Sequence, residues 1–164
     1  MSQAETQSWL ATHDPVTVVA WADPVVEAFG HHPRSEYVER YWLGVLGPSA
    51  VWALRRLVGW LEEAPDGYPL ALAPMARELG LGEGTGRNSP LVRTLTRLVS
   101  YDMAVIRGDA LAVRRAMGPL TRRQVMRLPG HLAERHQAEM AARSQPSPTI
   151  RQADHLAAVG SLGS

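Results

Sequence analysis

A chain of 164 residues with 45% hydrophobic content can build one domain around a real core. It contains no cysteine, which excludes disulfides, thiolate metal sites and a cysteine nucleophile and suits a reducing compartment. A formal net charge of +1 excludes a uniformly basic, nucleic-acid-coating protein, so any such role must rest on how the charge is distributed.

Residues 1–15, MSQAETQSWLATHDP, lack a basic start followed by an apolar run and read as a mobile leader rather than a secretory signal. No apolar stretch approaches the roughly 20 residues that span a bilayer, so a cytoplasmic location without membrane contact is expected. Val16 to Trp21 is a short apolar run whose period separates strand from helix poorly. Asp23-Pro24 is a cap and first turn for a short helix ending at Gly30, and His31-His32-Pro33 breaks the chain. Ser35 caps a helix to about Leu46, stopped by Gly47-Pro48. Ser49 starts another to about Glu63, with Val51, Leu54, Leu57, Val58 and Leu61 as one apolar stripe.

After the turn Ala64-Pro-Asp-Gly67, the text from Tyr68 to Arg115 reads as a short strand, a helix, a glycine-rich turn, a second helix and a hairpin. Pro74 suits the first turn of a helix carrying Met75, Ala76 and Leu79, and Gly80 can close it. Asn88 or Ser89 caps the next helix, with Pro90 in its first position. Leu91, Leu95, Leu98 and Val99 follow helical spacing and must face the core, which sends Arg93, Thr94, Thr96 and Arg97 to the other side. Gly108-Asp109 turns a hairpin of residues 105–113. Thr121-Arg-Arg-Gln124 is a capping box, Pro129-Gly130 a break, and residues 131–143 a helix of mixed charge. Residues 144–164 are expected to be a disordered tail in which 151–159 form at most a weak helix.

The pattern over residues 50–115 resembles the winged helix-turn-helix regulators, including the multiple-antibiotic-resistance type. In these the third helix ends in a Leu-Val-x-x-Gly-Leu text before the wing. Here that text is Arg97-Leu-Val-Ser-Tyr-Asp-Met103, with Asp102 where the family commonly has Gly, and the turn from Leu81 to Asn88 is longer and richer in glycine than usual. The resemblance implies a mainly α fold with a small β-hairpin wing. It divides the chain into an aromatic-rich N-terminal helical extension (1–48), a winged helix domain (49–120) and C-terminal helices (121–143). It implies a DNA-binding transcriptional regulator, a homodimer in keeping with the family, acting on double-stranded DNA. Carried over by position, Asn88, Ser89, Arg93, Thr94 and Arg97 would make groove contacts, Arg87 a phosphate contact at the helix entrance, and Arg107, Arg114 and Arg115 backbone contacts beside the wing.

Charge and aromatic placement bear on this. Residues 105–127 hold six arginines against Asp109, a net +5, whereas residues 1–54 carry −4. Every basic residue is Arg, which with abundant Ala, Gly, Leu and Pro points to a GC-rich, actinobacterial-type genome and weakens any argument that Arg was selected for bidentate contacts. All five tryptophans lie in the first 60 residues, with Phe29, Tyr37 and Tyr41. They fit a core packed on the first winged-helix helix. They also fit a dimer or partner interface of Trp9, Trp21, Tyr37, Tyr41 and Trp42. An alternative from another class follows, an adaptor that grips a protein in a bacterial assembly through this Trp-rich part. His31-His32 matches no metal-ligand spacing, and Gly82-Glu-Gly-Thr-Gly86 lacks the Lys-Ser/Thr ending of a phosphate loop. No nucleophile elbow occurs. The expectation is therefore no enzyme, no cofactor and no metal.

Overall fold

The computed structural model describes residues 1–145, so the tail expected over 144–164 lies almost wholly outside the described residues. The described residues form a mixed α/β fold of eight α-helices and one four-stranded sheet. Ser2 starts α1 (Gln3–Thr12) through a reciprocal capping box with Glu5. Strand β1 (Val16–Trp21) buries Val16 and Val18 and exposes Thr17, the two-residue period of a half-covered strand. Asp23 caps α2 (Pro24–Phe29), which buries none of its residues. The helical segment 36–46 contains a π-helical turn (Val38–Trp42) before α3 (Leu43–Leu46), and α4 (Pro48–Glu63) follows Gly47.

Then come β2 (Tyr68–Leu70), α5 (Leu72–Glu78), α6 (Pro90–Ser100), β3 (Ala104–Arg107) and β4 (Ala110–Arg114), in the order read from the sequence. Thr121 and Gln124 form the second capping box, on α7 (Arg122–Val125), and α8 (Gly130–Arg143) closes the described chain.

The sheet order is β2-β1-β4-β3. β1 runs antiparallel to β2 and parallel to β4, pairing Val18 with Tyr68 on one side and with Leu111 on the other. The N-terminal strand thus sits inside the sheet, between β2 and the β3/β4 hairpin. The expected β3/β4 hairpin forms and helices predominate, but the hairpin belongs to a four-stranded sheet, so the fold is mixed α/β rather than mainly α. A strand recruited from before residue 48 joins two pieces that would otherwise be a three-residue strand and an isolated hairpin, each marginal alone.

Residues 1–15 are likewise no loose leader. α1 packs on α6, with Leu10 fully buried and Thr6 nearly so. Residues 1–48 and 49–120 contribute to one buried cluster, from Leu10, Val18 and Leu46 to Leu54, Leu95 and Val113. Asp102 has φ 57°, the left-handed region that glycine enters most readily. A glycine would suit the position, and Asp tolerates that region better than most other residues.

Candidate interaction groove

Helix α6 is set by its own caps. Ser89 accepts a hydrogen bond from the Val92 amide at 3.4 Å, and Pro90 occupies the first turn. Leu91, Val92, Leu95 and Leu98 are fully buried. Thr94 and Thr96 are buried too, contrary to the outward orientation read from spacing. Each hydroxyl donates to the carbonyl four residues back, Thr94 to Pro90 at 2.8 Å and Thr96 to Val92 at 2.7 Å. The physical reason is that α6 is covered on more than one side, by α4 and by α1. Only a narrow stripe of Pro90, Arg93, Arg97 and Ser100 stays exposed.

Arg97 does not project freely from that stripe. Its Nε donates to the Leu46 carbonyl, one Nη donates to the Val45 carbonyl at 3.0 Å, and the guanidinium lies 5.0 Å from the Tyr101 ring centre. It therefore satisfies carbonyls at the end of α3 that the short helix leaves without intrahelical partners. Arg87, Asn88 and Arg93 are exposed. The ion-paired arginines of the described residues lie elsewhere, at Arg40, Arg56, Arg114, Arg115 and Arg135.

The stripe borders a groove of about 390 Å³. α1 contributes Gln3 and Gln7 to it, α6 contributes Pro90, Arg93, Thr94, Arg97 and Ser100, and Ser49, Leu81 and Tyr101 complete the surroundings. No carboxylate lines it. Gln3 and Gln7 carry no site signal in the sequence, and Ser49 reads there only as a helix start. The Ser2-Gln-Ala-Glu5 text is a capping-box signal that announces α1, but nothing local says which helix α1 covers.

Two of the arginines on and just after the β3/β4 hairpin are also engaged. Arg114 stacks on Trp21 at 3.6 Å from the ring centre, pairs with Asp23 at 2.6 Å and donates to the Asp102 carbonyl at 2.7 Å. The Arg114 guanidinium, with a contribution from the Val26 amide, holds the Asp23 carboxyl below the usual carboxylate range. Arg115 pairs with Glu27 at 2.6 Å. Acids from the N-terminal segment thus neutralise two of the six arginines that gave residues 105–127 their positive excess. Arg107 stays exposed beside Trp21, its guanidinium 5.1 Å from the ring centre.

Of the aromatic residues expected at an interface, Tyr37, Tyr41 and Trp42 are interior. Trp42 donates to the Gly118 carbonyl at 3.0 Å. Tyr37 accepts from the Leu120 amide at 2.8 Å, lies 2.7 Å from His136 Nε2 and stacks against His31. Burial is the main cause that pushes the His31 pKa down and the Tyr37 pKa up. These rings lock α8 onto the helical segment 36–46 and offer no outer face. Trp9 and Trp21 are half-buried, Trp9 stacked on His13.

The exposed apolar side chains are instead Val25, Phe29, Trp52 and Met126, with Met1. His32 pairs with Glu62 at 2.6 Å, and among the described residues no group of three His, Asp or Glu is arranged to hold a metal ion. No described helix is long and apolar enough to cross a membrane. No family model, curated protein or solved structure matches the chain.

Proposed function

We propose that the protein is a non-catalytic interaction module of winged-helix type whose partner is another protein. One observation carries the proposal. The outward stripe of α6 does not stand clear of its neighbours but lies along a groove shared with α1, and Arg97 spends its guanidinium on carbonyls of the same chain. A helix reads base edges only when its polar stripe can enter a major groove about 12 Å wide, and an adjacent helix obstructs that entry. A groove between helices, by contrast, suits a segment of polypeptide.

The supporting charge pattern is the pairing of Arg114 and Arg115 with Asp23 and Glu27, which lowers the phosphate-binding capacity beside the hairpin. The test is affinity capture with the full chain, followed by reconstitution with the purified candidate. Recovery of one stoichiometric protein, free of nucleic acid after nuclease treatment, supports the module. Recovery of nucleic acid alone overturns it.

A second reading, double-stranded DNA binding by a homodimer, is favoured by the exposed Arg87, Asn88 and Arg93 at the start of α6 together with exposed Arg107 on the hairpin. It requires saturable duplex binding that weakens steeply with salt.

A further inference from the structure

We infer that the groove between α1 and α6 binds an extended acidic peptide segment, with Arg93 pairing one of its carboxylates. This rests on the protein-partner reading and names the chemistry of the partner. The groove carries two arginines and no acid among its lining residues, in a chain whose net charge is only +1. Arg97 is fixed by Leu46, Val45 and Tyr101, so it contributes a stationary positive charge. Arg93, one turn earlier, keeps its planar fork available for bidentate pairing with a carboxylate. α4 begins at the same groove through Ser49, and its cap residue Gly47 supplies no side-chain acceptor, so the positive end of that helix adds to the field.

Length and polarity favour a peptide over a compact anion. The lining runs along α6 from Pro90 to its cap residue Tyr101, about 16 Å at ~1.5 Å per residue. An extended segment of roughly five residues spans that distance at ~3.3 Å each. Gln3 and Gln7 sit one turn apart on α1, and their carboxamides can donate to and accept from the amides of an extended backbone. Leu81, Pro90 and Tyr101 add apolar surface for side chains between the acids.

The experiment selects a displayed library of random ten-residue peptides on the full chain, then synthesises the recovered consensus twice, once as selected and once with every Asp and Glu changed to Asn and Gln. Affinities are read by fluorescence anisotropy. The expected consensus carries at least two acids. The amide version and the Arg93→Glu variant each weaken binding by about tenfold or more, the energy of one such pair, and added salt weakens it further. Arg93 is exposed, so Arg93→Glu keeps the fold, which circular dichroism and the unfolding midpoint verify. Gln7→Leu provides a second groove variant and Phe29→Ser a control on a different surface.

Selection of sequences without acids, equal affinity of the amide version, undiminished binding by both groove variants, or no enrichment at all each overturn the inference. A protein recovered by affinity capture that binds the Arg93→Glu chain as well as the unmodified chain leaves the interaction module standing and removes the groove as its site.

Discussion

Truncating Arg97 separates an arginine that builds the fold from one that faces outward. In Arg97→Ala, the Leu46 and Val45 carbonyls lose guanidinium donors, and the Tyr101 ring loses its cation. A hydrogen bond involving a charged group is worth about 1.5–3 kcal/mol when shielded, and a neutral one about 0.5–1.5. Arg97 is exposed, so water recovers much of each bond and the lower range applies. Two such bonds at the low end of that range, about 0.5 kcal/mol each, with a surface cation–π contact of about 0.5 kcal/mol give a net loss of about 1.5 kcal/mol. For a chain of this size that lowers Tm by roughly 3–6 °C.

Arg93→Ala, one turn away on the same stripe, changes stability by less than about 0.5 kcal/mol. Arg97→Lys recovers under half the loss, because one ammonium cannot reproduce the two-pronged geometry. Urea unfolding of the three variants measures all of this. Equal stability of Arg97→Ala and Arg93→Ala would refute the assignment of Arg97 to the α3 terminus.

Three further outcomes follow from named contacts. Tyr37→Phe removes the hydroxyl that serves both the Leu120 amide and His136. It lowers the urea unfolding free energy by about 2–4 kcal/mol, because two buried polar groups lose their partner. At the left-handed position, Asp102→Gly raises stability by about 0.5 kcal/mol, while Asp102→Val, with a β-branched side chain, lowers it by about 1–2 kcal/mol, both read by thermal unfolding. The carboxyl of Asp23 titrates below its ordinary value of 3.8. The depressed value means that its contribution to stability is full above that pH and is lost as pH falls through the lowered one. Carbon-13 NMR titration of Arg114→Ala shows the Asp23 pKa moving up, though not fully to 3.8, because the Val26 amide still bonds the carboxylate.

What the sequence made legible were the features decided by neighbours along the chain. The Asp23, Ser35, Ser89 and Thr121 helix starts are local hydrogen-bonding texts, and the α4 stripe is a local period. The Gly108-Asp109 turn likewise joins adjacent strands. Features decided by distant parts of the chain were not legible. Val16–Trp21 became a strand because Leu70 and Leu111 pair with it from opposite sides, and an apolar run alone carries no record of those partners.

Thr94 and Thr96 read as outward because the spacing of Leu91, Leu95, Leu98 and Val99 defines only one buried face. α1 makes a second face, and threonine can enter it because its hydroxyl closes onto its own helix. Arg97 looked available for the same reason, since its acceptors lie 51 and 52 residues earlier. The acidic N-terminal segment and the basic hairpin were both visible as charge, but only the fold brings Asp23 to Arg114 and Glu27 to Arg115.

The decisive measurement is a titration of the full chain into labelled double-stranded DNA of random and genomic sequence at low salt, read by anisotropy. With α1 beside the α6 stripe and Arg97 bound to its own backbone, no saturable binding is expected, and combined Arg87→Ala and Arg93→Ala changes nothing. Saturable, salt-sensitive binding that disappears in that double variant would contradict the groove and restore α6 as a reader of the duplex.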